Sequence, residues 1–160
     1  MKAESTGWRD LDLPLRHRTW GDDVPAVDLD FVALEYNYLV PVALIDYKSG
    51  FSYAESARDR ANFAALSKLA SFYDGPRSEG PAPADGRGIP FIVVPYERRP
   101  WRFKIQPRND VAHEILPLAA TNTELSEERY VRFLYWLRGN GAPPPEVLAL
   151  ISQPEPTTTR

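Results

Sequence analysis

The chain contains no cysteine. Disulfides and thiolate metal sites are therefore excluded, and any bound metal must be held by oxygen or imidazole. The absence of disulfides suits a reducing compartment. Histidine is scarce as well. His17 and His113 stand far apart and lack ligand-spaced partners, so both read as structural or solvated. No window approaches the roughly 18 uninterrupted apolar residues of a membrane helix. The polar start Met1-Lys2-Ala3-Glu4-Ser5-Thr6 has no apolar stretch behind it, as a secretory leader would need. The expectation is a soluble, cytoplasmic protein without a membrane partner. An excess of positive charge is also missing. A net charge of −3 argues against a surface that coats nucleic acid indiscriminately, while one local basic strip remains open. No glycine-rich loop precedes Lys48-Ser49, so it is not a P-loop, and there is no G-x-S-x-G elbow.

What is present is a globular composition: 160 residues, 43% hydrophobic and 12% aromatic. This is enough to bury one core without staples. We expect one domain over residues 1–152 and a disordered tail over 153–160. Residues 1–19 read as a poorly determined arm, or a short helix followed by a strand. Gly21 to Pro25 reads as a turn that includes Asp22 and Asp23. Val27-Asp28-Leu29-Asp30-Phe31-Val32 alternates apolar and acidic residues, the period of a strand. That pattern puts Asp28 and Asp30 on one face and Val27, Leu29 and Phe31 on the other. Pro41 to Lys48 is the clearest strand, with an apolar body suited to a central position. Its end turns polar, and Asp46 and Lys48, two apart, share a face.

Ser52-Tyr53-Ala54-Glu55 is a capping-box pattern opening a helix to about Tyr73, with Phe63, Leu66, Ala70 and Tyr73 on one face. Residues 75–88 read as a mobile loop. Strands are expected over 89–96 and 101–106, joined through Glu97-Arg98-Arg99-Pro100 as a hairpin. Ser126-Glu127-Glu128 reads as an N-cap with acid in the first turn. It precedes a helix bearing Tyr130, Phe133, Leu134 and Leu137, and a short helix is expected near 146–151. The order strand, strand, helix, strand, strand, helix predicts an α/β fold with a mixed sheet flanked by helices.

The first two strands carry the chemistry. Asp30 and Asp46 lie sixteen positions apart, room for a strand, a turn and a return. If the strands pair, two or three carboxylates and one ammonium meet at a sheet edge. Carboxylates so close repel one another, and a hard divalent cation relieves them by taking oxygens from both. Such a cation polarises a phosphodiester and lowers the pKa of a bound water. A lysine beside it can orient or deprotonate the water, or stabilise the transition state.

The segments Val27–Val32 and Pro41–Lys48, with the helix and two strands that follow, resemble the PD-(D/E)XK nuclease superfamily of restriction endonucleases and RecB-type nucleases. Leu29 stands where that family commonly has proline. The resemblance implies a restriction-endonuclease-like sheet and Mg²⁺- or Mn²⁺-dependent hydrolysis of DNA. Asp30, Asp46 and Lys48 would be catalytic. The metal would rest on Asp30, Asp46, the Tyr47 backbone carbonyl and, as a further acid, Asp28. Members often act as dimers, so a homodimer is an expectation, and the family is common in phage and mobile elements. The alternative is a nuclease-fold protein that binds DNA or protein without cleaving.

Other residues carry plainer readings. Glu35 reads as a solvated strand end and Glu55 as a helix cap. Arg58 and Arg60 fit a solvated helix face as well as a phosphate contact. The hairpin residues Arg98, Arg99, Trp101, Arg102 and Lys104 interleave cations with aromatics, as a nucleic-acid-binding strip does. A charge-protected edge strand explains them equally.

Overall fold

A computed structural model of the chain describes residues 29–34, 40–74, 88–116, 123–139, 142–145 and 147–148. The arm 1–19, the turn with Asp22 and Asp23, Val27, Asp28, Glu35, the loop 75–87 and the tail 153–160 lie outside them. So does most of the short helix expected near 146–151.

Among the described residues the elements run β1 (Phe31–Leu34), β2 (Pro41–Ser49), α1 (Ala57–Ser71), β3 (Phe91–Glu97), β4 (Arg102–Phe103), β5 (Gln106–Pro107), α2 (Asp110–Ile115), β6 (Leu125–Ser126) and α3 (Glu127–Leu137). The strands form one mixed sheet in the order β1-β2-β3-β4-β6, with β5 also pairing with β3. The mixed α/β architecture therefore holds. β1 pairs antiparallel with β2, and β3 lies parallel to β2 after the α1 crossover.

The apolar body of β2 is buried on both faces, and its alternation divides two packing layers. Leu44 joins Phe91 and Val93 beneath Phe63, Leu66 and Ala70 of α1. Ala43 and Ile45 join Ile92 and Val94 beneath Tyr130, Phe133 and Leu137 of α3, together with Ala112 and Leu116. Burying each large side chain of these layers stabilises the fold by about 1.5–3 kcal/mol.

The fold corrects several expectations. β1 begins at Phe31, later than the alternation predicts, because the ladder with β2 starts at Phe31 opposite Ile45. Leu29, outside the ladder, packs on the α1 side with Val32 instead of sharing a face with Phe31. The helix opens at Ser56, four residues after the expected cap. Ser56 and Asp59 make the reciprocal capping box. The strand expected over 101–106 is split into β4 and β5. The register stays constant across the break, Tyr96 facing Phe103 and Val93 facing Gln106. Between them Lys104 N–H donates to the Pro95 carbonyl at 2.9 Å. Pro95 has no N–H to return, so the ladder loses one bond there.

Two short elements carry no strong sequence signal, α2 and β6. Asn109 caps α2 and is buried. Its Oδ1 accepts from Ala112 N–H (3.0 Å) and Phe91 N–H (2.9 Å), and its Nδ2 donates to the Ile89 carbonyl (2.9 Å). One side chain thus ties the start of β3 to a helix about twenty residues on.

Candidate functional site

Asp46 and Lys48 stand on the α1 side of β2, near its C-terminal end. Asp46 is only 5% exposed. Its neighbour in the β3 ladder is Val93, and Leu44 precedes it on the same face, so the carboxylate sits at the rim of an apolar layer. Lys48 Nζ lies 2.7 Å from Asp46 Oδ1. Beyond that ion pair, Oδ1 receives no hydrogen bond. Burial raises the Asp46 pKa. Lys48 pulls it back, and the charges of Asp30 and Asp59 push it up again. Burial would lower the Lys48 pKa, but the hydrogen bond and charge of Asp46, helped by Asp59 and Asp30, hold it above its ordinary value. The ammonium therefore keeps its proton. It also borders the rings of Phe63 (5.3 Å to the centroid) and Tyr53 (6.0 Å).

α1 brings a further carboxylate to this spot. Asp59 Oδ1 lies 3.5 Å from Lys48 Nζ. Its Oδ2 accepts from Ser56 N–H (3.1 Å) and Ser56 Oγ–H (2.6 Å), while Ser56 Oγ accepts from Asp59 N–H (3.1 Å). The Ser56 hydrogen bond is the main force holding the Asp59 pKa down to about 2, with Tyr53 and Lys48 adding to it. Burial, and then Asp59, push the Tyr53 phenol above its ordinary range. Glu55 is not a cap. It pairs with Arg108 Nη1 at 2.9 Å, while Arg108 Nη2 donates to Gln106 Oε1 at 3.0 Å. The guanidinium also lies over the Phe63 ring, 5.0 Å from its centroid. Asp59 and Gln106 escape a reading of the sequence, in which Arg108 is one more cation of the basic hairpin. The available signal for Asp59 is the Ser-x-x-Asp frame at 56–59, which directly follows the Ser-x-x-Glu frame at 52–55. Arg58 and Arg60 lie on the exposed side of α1, where Arg60 Nη1 donates to the Glu55 carbonyl at 3.1 Å.

Asp30 arrives from β1, which flanks β2 on the edge away from β3. One further step of the β1–β2 register would place it opposite Asp46. Its Oδ2 accepts the Tyr47 N–H at 2.9 Å. Leu44 N–H and Gly50 N–H point to β3, so alternation turns the Tyr47 N–H and carbonyl towards β1, the side where Asp30 sits. The Tyr47 ring faces the other layer, its hydroxyl 2.8 Å from that of Tyr130. Asp28 lies outside the described residues.

The basic hairpin ends at the same sheet edge. Ser49 pairs with Tyr96, and Gly50, with φ of 88°, lets its N–H reach the Tyr96 carbonyl at 2.7 Å. Lys48, Pro95 and Lys104 form one row across the sheet, which separates the two lysine positions by about 10 Å. Lys104 lies over the Phe51 ring (4.4 Å) and 3.6 Å from Glu124 Oε1. The expected interleaving resolves into two faces. Arg102 and Lys104 alternate onto the α1 side with the carboxylates. Trp101 stacks on Phe103, which stacks on Tyr130 of α3 at 4.3 Å. Arg98 covers Tyr96 and Trp101 at 5.7 Å each. Arg99 is exposed, with φ of 67°.

Among the described residues no three His, Asp or Glu side chains converge as a ready metal cage. The donors of Asp30 and Asp46 are nevertheless of the hard oxygen type that Mg²⁺ and Mn²⁺ take, and Mg²⁺ commonly rests on one or two carboxylates while keeping several waters. Asp46 Oδ1, buried and held by a lysine alone, fits that use. Among the described residues no helix is long and apolar enough to cross a membrane. No family model matches the chain, and no curated protein or solved structure proves similar to it.

Proposed function

We propose that the protein is a Mg²⁺- or Mn²⁺-dependent nuclease hydrolysing DNA phosphodiester bonds, with a restriction-endonuclease-like arrangement of β1, β2, α1 and β3. The observation that carries this reading is the buried Asp46, paired at 2.7 Å with Lys48 at a strand end where the Tyr47 N–H also holds Asp30. Asp30, Asp46 and the Tyr47 carbonyl would hold the cation. When bound, it supplies polarisation of the scissile phosphate and a water of lowered pKa. Lys48 keeps its proton between two carboxylates, so its part is to donate hydrogen bonds and positive charge to the phosphoryl oxygens. Proton abstraction from water falls to another group. Arg102 and Lys104 lie on the same face and would follow the backbone away from the site. Arg98, Arg99 and Trp101 would meet the strand at the hairpin tip.

The test is a cleavage assay on single-stranded, double-stranded and branched DNA, with and without Mg²⁺ or Mn²⁺. Cleavage is expected only with metal, and Asp46→Asn and Lys48→Met should abolish it while remaining folded. Full activity in both variants would overturn the proposal.

A second reading is a nuclease-fold protein that binds DNA or a partner protein without cutting. The small donor count favours it. So does an open apolar groove of about 570 Å³ at the far end of α1, lined by Leu29, Val32, Leu44, Leu69, Phe72 and Tyr73. Such a protein would show no metal-stimulated cleavage of any of the three substrates.

A further inference from the structure

A divalent cation seated on Asp46 Oδ1 would repel the Lys48 ammonium that now stands 2.7 Å from that oxygen. The geometry points to Asp59 as the seat that receives the ammonium, making Asp59 a positioning residue for the cation site. This inference rests on the reading that Asp46 is a metal ligand. Lys48 Nζ already stands between the two carboxylates, 2.7 Å from Asp46 Oδ1 and 3.5 Å from Asp59 Oδ1. Asp59 is held still. Its Oδ2 is clamped by the N–H and the hydroxyl of Ser56, which leaves Oδ1 for the lysine. The rings of Phe63 and Tyr53 border the ammonium on other sides and offer it π-faces but no competing carboxylate. The Glu55–Arg108 ion pair at 2.9 Å fastens the segment before Ser56 to the end of β5, so the cap does not drift from the sheet.

Two acids thus divide the work. Asp46 trades an ammonium for a metal, and Asp59 accepts the ammonium that is displaced. Lys48 stays beside the metal site in both positions and remains cationic. Without Asp59, displacing Lys48 from Asp46 would send the ammonium into water, and metal uptake would weaken although no ligand had been lost.

The experiment is calorimetric titration of the full chain with Mn²⁺ alone, above the carboxylate range of pH. Four proteins are compared: unmodified, Asp59→Asn, Lys48→Met and the double variant. The asparagine retains an oxygen for the Ser56 N–H, and thermal melts check folding. Lys48→Met leaves the cap untouched and should bind Mn²⁺ at least as tightly as the unmodified protein, because the competitor for Asp46 is gone. The affinity lost through Asp59→Asn should be about fivefold greater with Lys48 present than in the Lys48→Met background. Equal losses in both backgrounds would make Asp59 a ligand or a distant charge, and overturn the inference alone. So would weaker binding by Lys48→Met. No uptake by the unmodified protein would overturn both this inference and the metal reading beneath it.

Discussion

Removing the lysine and removing the aspartate of one ion pair should have unequal effects on stability. Lys48→Met leaves the Asp46 carboxylate buried and unpaired. Breaking a fully buried pair in this way costs about 3–5 kcal/mol. Here the side chains are 22% and 7% exposed for Lys48 and Asp46. Water therefore reaches the pair from the lysine side, and about 2–3 kcal/mol is expected at neutral pH. The carboxylate has an escape, since burial already raises its pKa above 3.8. A raised carboxylate pKa means the ionised form is disfavoured in the folded state. The penalty is therefore present above the folded pKa and fades as pH falls through it. Asp46→Asn, by contrast, removes the buried charge and leaves a lysine that water and Asp59 still reach, so it should cost less than about 1 kcal/mol. Urea denaturation of both variants at neutral and mildly acidic pH measures this. A Lys48→Met cost below about 0.5 kcal/mol at neutral pH would refute the account of Asp46 as a buried charge dependent on its neighbour. A cost that grows in acid would refute it equally.

Asn109→Ala should destabilise the fold by about 3 kcal/mol, because Phe91 N–H, Ala112 N–H and the Ile89 carbonyl all lose their partner. Chemical denaturation reads the loss, and a change under 1 kcal/mol would show that water replaces the side chain. Asp59 has a depressed pKa, so its contribution is present above its ordinary value of 3.8 and is lost as pH falls towards about 2. Asp59→Asn should therefore flatten that part of the acid limb in a stability–pH profile. Replacing Arg102 and Lys104 together by Gln should lower the salt dependence of DNA binding by about 2 in log–log slope. An unchanged slope would remove both from the interface.

Period-two patterning makes the ends of β2 readable from the chain alone. Pro41 and Ser49-Gly50 bracket an apolar run, and a spacing of two places Asp46 and Lys48 together. The buried face of α1 is readable for the same kind of reason, through Phe63, Leu66 and Ala70. The start of α1 is not. Ser52–Glu55 and Ser56–Asp59 are equally good capping frames locally, and the choice is made by a tertiary contact, Arg108 claiming Glu55. That contact spans fifty-three positions and leaves no local trace. Asp59 is hidden by the same ambiguity, because an acid in a first turn already has a sufficient reason to be there. The alternation that sets Leu29 beside Phe31 fails because no ladder partner enforces it before Phe31. α2 and β6 are too short for any period to register, and Asn109 specifies its turn through bonds to residues eighteen and twenty positions away.

The double variant Asp46→Val with Lys48→Met separates a structural role for the pair from a chemical one. Asp46 lies at the rim of a layer built from Leu44, Phe63, Phe91 and Val93, where an apolar residue would continue the packing and suit the strand. Replacing a buried ion pair by apolar residues is often neutral or stabilising by about 1–4 kcal/mol, because neither charge need be stripped of water. The double variant should therefore be at least as stable as the unmodified chain in thermal and urea melts, and it should lose Mn²⁺ uptake altogether. That outcome would mean the fold carries a charge pair it does not need for stability, the signature of a site kept for what it does. A double variant less stable by about 2 kcal/mol or more would instead make the pair a structural element of β2 and α1. The case for phosphodiester chemistry at this strand end would then lose its physical footing.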